Sequence, residues 1–113
     1  MHCYSYSPEL AAEYLKMGYY LGIGGVVTFK NARKLKETVK AAPMSALLTE
    51  TDCPYLTPVP FRGKRNDSGK IPLVLDEIAR IKETDRTRTE EICYENALRF
   101  YRMERFAREK RNE

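Results

Sequence analysis

The chain has a single histidine and no tryptophan among its 113 residues. Its three cysteines are Cys3, Cys53 and Cys93. An odd number, at spacings that match no zinc ribbon, excludes a disulfide framework and a zinc module. Free thiols and a cytoplasmic location are expected instead. No apolar run approaches the ~20 residues that a bilayer span needs, so no membrane partner is expected. Met1 is followed at once by polar residues, unlike a secretion signal. There is no internal repeat and no low-complexity block. Prolines number only six, and three of them, Pro54, Pro58 and Pro60, fall close together.

What is present describes a small globular domain. Hydrophobic residues make up 42% and charged residues 32%, which excludes a disordered chain. Lys and Arg total 20 against 16 Asp and Glu, a formal net charge of +4. That mild excess permits a polyanionic partner without demanding one. The length suits one domain and is short for a two-domain enzyme.

Helices and strands alternate along the chain. Ser7 and Pro8 suit the cap and first position of a helix, with Leu10, Ala11, Tyr14 and Leu15 on one face and Gly18 as its stop. Residues 19–28 are rich in aromatic and branched side chains and predict a strand, interrupted by Gly22, Gly24 and Gly25. Asn31 predicts the cap of a second helix, lined by Ala32, Leu35 and Val39 and ended by Pro43. Residues 46–50 predict a second strand, and the order strand–helix–strand predicts a parallel βαβ unit. Residues 51–69 read as a long Pro/Gly-punctuated loop, a length often associated with function. Val74, Leu75, Ile78 and Ile81 mark a third helix. Thr87 and Glu90 predict a capping box for a fourth, with Ile92, Cys93, Ala97, Phe100 and Tyr101 as its apolar face. From residue 101 a basic, frayed tail is expected. Two strands with no further partner expose two sheet edges.

The candidate chemistry clusters after the second strand. Glu50 and Asp52 stand at its carboxyl end, where the sites of parallel α/β sheets open. Asp52 can bind a hard cation or polarise a water; it can equally cap the turn into Cys53 and Pro54. His2, the sole imidazole, is either a metal ligand or a surface residue at a mobile terminus. Arg62, Lys64 and Arg65, with Gly63 among them, can grip phosphate, or form a solvated basic loop. Tyr55 and Phe61 flank that loop and can stack on bases or pin the loop down. Cys3 and Cys53 read as packing residues. Basic residues recur about every three positions from Arg99 to Arg111, but Glu104 and Glu109 interrupt them, so a solvated helix face is expected.

The motifs His2-Cys3-Tyr4-Ser5, Gly24-Gly25-Val26-Val27-Thr28-Phe29-Lys30-Asn31-Ala32, Glu50-Thr51-Asp52-Cys53-Pro54-Tyr55-Leu56-Thr57-Pro58, Arg62-Gly63-Lys64-Arg65-Asn66 and Asn96-Ala97 occur in this order. Together they resemble the C-terminal part of a TatD-type metal-dependent deoxyribonuclease. The resemblance runs from His2 to about Tyr101. It implies an α/β fold: the C-terminal part of a TIM (β/α)8 barrel of the metal-dependent hydrolase type, with about two parallel strands and four helices. A complete barrel typically needs ~250 residues, so residues 1–113 are expected to form a single incomplete domain.

The resemblance also implies a divalent-metal centre, with Mg²⁺ as the ion and DNA as the substrate, often cut as a 3′-to-5′ exonuclease. Carried over singly, His2 matches a metal-binding histidine. Asp52 matches the metal-binding aspartate that also orients the attacking water. Glu50 becomes its supporting carboxylate, and Arg62, Lys64 and Arg65 lie near the phosphate path. The other histidines and the bridging glutamate of the family have no counterpart here, so the chain alone is expected to be inactive. Tyr6 replaces a usual glycine, and Asp67-Ser68 a usual Glu-Pro. Two rival readings are a non-catalytic fragment that self-associates through its open strand edges, and a weak nucleic-acid-binding module.

Overall fold

The computed structural model describes residues 1–111; Asn112 and Glu113, the end of the expected tail, lie outside the described residues. Helix α1 spans Pro8–Lys16, strand β1 Leu21–Ile23, helix α2 Arg33–Ala41 and strand β2 Leu47–Thr49. Helices α3 (Ile71–Lys82), α4 (Arg86–Phe100) and α5 (Glu104–Arg111) follow. The strands pair in parallel with Leu21 opposite Leu47 and Ile23 opposite Thr49. This is the expected βαβ unit, with four expected helices and a fifth, α5, within the stretch read as a tail.

Alternation along the strands divides the sheet into two environments. Leu21, Ile23 and Leu47 are fully buried against Ala11, Leu35, Val39, Val74 and Ile78, which come from α1, α2 and α3. Burying each such aliphatic side chain contributes roughly 1.5–3 kcal/mol. Gly22, Leu48 and Glu50 occupy the opposite face. There they line a groove of about 210 Å³ with Tyr20, Phe100 and Tyr101.

Several local expectations give way to tertiary packing. The first strand is three residues long, because residues 25–28 turn into a 3₁₀ helix. Asn31 does not cap α2: the cap is Ala32, which makes no side-chain hydrogen bond. Helix α4 starts earlier than the capping box predicts, because Asp85 accepts a hydrogen bond from the Arg88 amide at 3.1 Å. Its buried face is Thr89, Cys93 and Asn96, whereas Phe100 and Tyr101 are exposed. The expected cap at Ser7 is present, where Oγ accepts from the Leu10 amide at 3.2 Å.

The sheet edges are less open than two isolated strands would be. Residues 1–4 run beside β1: the Gly22 amide donates to the Met1 carbonyl at 2.8 Å, and the Tyr4 amide donates to the Gly22 carbonyl at 2.9 Å. On β2, the buried Asn96 amide donates to the Leu47 carbonyl at 2.8 Å and to the Met44 carbonyl at 2.7 Å. A helix side chain thus satisfies a strand carbonyl that would otherwise stand unpaired at an edge.

Candidate metal centre and basic loop

His2 is anchored rather than free, because the pairing of residues 1–4 with β1 fixes its backbone. The Met1 amino group also donates to the Tyr20 carbonyl at 2.7 Å. β2 delivers Glu50 from its carboxyl end, and the Glu50 amide donates to the Ile23 carbonyl at 3.0 Å. The segment beside β1 and the end of β2 therefore bring one imidazole and two carboxylates together. His2 Nδ1 lies 2.8 Å from Glu50 Oε2, and His2 Nε2 lies 3.8 Å from Asp52 Oδ1. Gly22 makes room for this, since a Cβ there would stand 2.8 Å from Glu50 Oε2.

Asp52 has φ +52°, in the left-handed region. Asp and Asn enter that region far more readily than most side chains. Cys3 lies against the same group: burial first, then the negative charges of Glu50 and Asp52, push its thiol above the ordinary range. Cys93, buried under α4, is pushed up to about 11, chiefly by burial. Neither is a ready thiolate; Cys3 is partly buried as a packing residue would be, whereas Cys53, also expected to pack, is exposed. All three cysteines are free thiols.

The donors have the chemistry of a divalent-cation site, an imidazole nitrogen and carboxylate oxygens. Glu50 Oε1 is buried and lacks a hydrogen-bond partner, an unfilled acceptor at the heart of the group. The number of donors is the limit. Among the described residues, no cluster of three or more His, Cys, Asp or Glu side chains is placed to hold a metal ion. The residues fit part of a metal centre and do not complete one.

The basic loop begins directly after Asp52. The Tyr55 amide donates to the Asp52 carbonyl at 3.0 Å. Asn66, only 3% exposed, closes the other end. Its Nδ2 donates to the Thr51 and Tyr55 carbonyls, each at 2.9 Å, and its backbone amide donates to the Pro54 carbonyl at 3.0 Å. One amide side chain thereby ties the start of the basic loop to the residues on either side of Asp52. The structure places Arg62, Lys64 and Arg65 around a separate open cavity of about 590 Å³, which Tyr55 and Phe29 also line. Arg62 is stacked on Phe29, its guanidinium 3.8 Å from the ring centroid. Phe61 sits instead under the Lys70 ammonium, at 5.7 Å.

Sequence reasoning missed the roles of Asn66, Asn96 and Gly22. The first two stood in the quoted motifs with no function attached; the signal was an amide beside a Pro-rich loop or on an otherwise apolar helix face. Asn66→Ala is expected to leave the Thr51 and Tyr55 carbonyls without their donor, at a cost of about 1 kcal/mol. Urea unfolding would register that loss, and hydrogen exchange should speed up at the Tyr55 amide while the α3 core stays protected. Unchanged stability and exchange would show that Asn66 does not hold this loop.

Comparison with known proteins places the chain in one family. The sequence model of the family described as "TatD related DNase" matches residues 1–102. A Bacillus subtilis (strain 168) relative, the uncharacterized metal-dependent hydrolase YabD, is 52% identical over 103 residues, 91% of this chain and 40% of that protein. The Mycobacterium tuberculosis metal-dependent hydrolase TatD is 36% identical over 101 residues, 89% of this chain and 38% of that protein. Among solved structures, the Escherichia coli TatD homologue YJJV superposes with a TM-score of 0.81 at 24% identity, over 87% of this chain and 38% of the other. A TatD family hydrolase from Entamoeba histolytica gives 0.76 at 22% identity, over 87% and 40%. The chain spans about two fifths of the length of the curated relatives it matches. Its fold is the α/β fold of the TatD TIM barrels over that portion. With the family motif matched along nine tenths of its length, this chain belongs to the TatD-related DNase family.

Proposed function

We propose that this chain is the sector of a metal-dependent phosphodiester hydrolase that supplies part of the metal site and grips the substrate. The substrate in this reading is DNA, cut in the manner of a 3′-to-5′ exonuclease with Mg²⁺, in the cytoplasm. The observation that carries it is the convergence of His2, from the segment that pairs with β1, with Glu50 and Asp52 at the carboxyl end of β2. His2 and Asp52 are the donors this chain contributes. Glu50, bonded to Nδ1, leaves Nε2 as the nitrogen free to ligate and orients the ring, as outer carboxylates do for metal-binding histidines. Asp52 also orients the attacking water. Arg62, Lys64 and Arg65 hold phosphates of the strand. The names of the relatives support the metal-dependent hydrolase, and the family description supports DNA as the substrate.

Two donors fall short of the three protein ligands usual in a catalytic site. The isolated chain is therefore expected to leave DNA intact in excess Mg²⁺. A chimaera in which it replaces the matching two fifths of the B. subtilis relative is expected to release nucleotides from a 3′ end, and to stop when the metal is chelated. A folded, metal-loaded chimaera that leaves DNA uncut would overturn the reading, as would turnover by the isolated chain.

A second reading rests on the open groove beside β2. Phe100 and Tyr101 are 49% and 66% exposed there, and in this reading the chain self-associates through that face rather than through its strand edges. Sedimentation showing a monomer at high concentration would dismiss it.

No helix among the described residues is long and apolar enough to cross a membrane.

A further inference from the structure

The cavity formed by the basic loop after Asp52 gathers three cations. Several basic side chains on the helices are paired: Lys36 and Arg80 with Glu77, Arg86 with Asp76 and Glu90, and Arg88 with Glu91. Arg62, Lys64 and Arg65 make no ion pair among the described residues, and no carboxylate lines the cavity they surround. Like charges gathered on one loop without counter-charges repel one another. They form a ready anion site when the backbone already holds them in place.

This backbone is held. The Lys64 amide donates to the Phe61 carbonyl at 3.0 Å, and its own carbonyl accepts from Thr57 Oγ1. Asn66 anchors the end of the loop, and stacking on Phe29 fixes Arg62. At the mouth of the same cavity, Tyr55 is 71% exposed, while Phe29 is buried. An exposed ring next to unpaired cations suits a base beside its phosphate. Each base offers a π-face, and stacking requires that the face be free.

We infer that this cavity is a one-nucleotide subsite, in which Tyr55 stacks on an unpaired base while Arg62, Lys64 and Arg65 hold the flanking phosphates. The inference rests on the DNA reading above and adds a requirement: the strand must be unpaired at this position. The interior of a duplex cannot satisfy the site, because its bases are already stacked on both faces. The subsite contributes to strand affinity, separately from the donors His2 and Asp52.

Binding by the full chain, without turnover, tests this. A fluorescently labelled oligothymidylate is expected to bind with an affinity that falls as salt rises, with a log–log slope of about −2 for three phosphate contacts. An abasic strand of equal length and charge is expected to bind about tenfold more weakly, and a blunt duplex more weakly than the single strand. Tyr55→Ala is expected to lose the same tenfold, and Tyr55→Phe to keep it. Equal binding of abasic and base-bearing strands by the unaltered chain would overturn the proposal, even if the Tyr55 variants failed to fold. So would duplex binding as tight as the single strand, or no binding of oligothymidylate at low salt. The two readings fail separately: strand binding by the chain with an inactive chimaera refutes the nuclease, and an active chimaera indifferent to the base refutes the subsite.

Discussion

Asp52→Asn in the chimaera with the B. subtilis relative is expected to lower kcat/KM for DNA by about a thousandfold, with little change in folding stability. The two effects separate because of the backbone at this position. Asp52 sits at φ +52°, and asparagine is the other residue that tolerates this region, so the substitution removes the charge and keeps the conformation. What is lost is one of the two donors in this chain and the carboxylate that orients the water. Charge stabilisation at such a centre amounts to several kcal/mol, and each 1.36 kcal/mol is a factor of ten in rate. Asp52→Ala should be equally inactive and also less stable, since alanine pays about 1–2 kcal/mol to remain left-handed. Steady-state kinetics on a single-stranded substrate, with thermal unfolding of both variants, reads the two effects apart. Activity of the Asn variant within tenfold of the parent would remove Asp52 from the reaction.

Gly25→Ala is expected to produce the largest stability loss of any added methyl group at the site. A Cβ on Gly25 would stand 2.1 Å from the Leu56 carbonyl oxygen and 2.9 Å from the Pro58 nitrogen, and both are backbone atoms that cannot rotate aside. Thr28 reinforces the contact. Its Oγ1 donates to the Gly25 carbonyl at 2.7 Å and accepts from the Val59 amide at 2.9 Å. The 3₁₀ turn and the loop behind Tyr55 therefore lock together across a surface with no space for a side chain. Overpacking of this kind costs about 3 kcal/mol. In a domain of this size that lowers Tm by more than about 10 °C. Displacement of residues 56–58 should also spoil the basic cavity, so oligothymidylate binding is expected to fall in any Gly25→Ala protein that remains folded. A Tm shift below about 3 °C would mean that the loop yields freely, and that its position is not set by this contact.

Much of the organisation was legible from local pattern. Ser7, Pro8 and Gly18 bracket α1 as their types predict, and the spacing of Val74, Leu75 and Ile78 marks the buried face of α3. Glu50 and Asp52 were placed at a strand end from order alone, and they are there. The errors share a cause. Residues 19–28 have strand composition, yet Gly25 turns because the Leu56 carbonyl occupies the place of its side chain. Phe100 and Tyr101 have the composition of a buried face, yet they are exposed, and Thr89 and Asn96 are buried beside the expected Cys93. His2 stands at the start of the chain, where order is not expected from local pattern, yet its neighbours pair with β1. Each outcome depends on a partner far away in the chain, which propensity does not contain.

Family, order of elements and the residue types available for chemistry are all written in the amino-acid order: one imidazole, two carboxylates after β2 and three cations on a Pro-rich loop. Those follow from side-chain identity and short-range spacing, which act within a few residues. Tertiary structure alone decided that His2, from residue 2, meets Glu50 and Asp52 within 3.8 Å. It also decided that the cations surround a cavity of their own, and that Asn66 joins the two regions. These depend on parallel pairing of distant strands and on buried hydrogen bonds whose partners become neighbours only when the chain has folded.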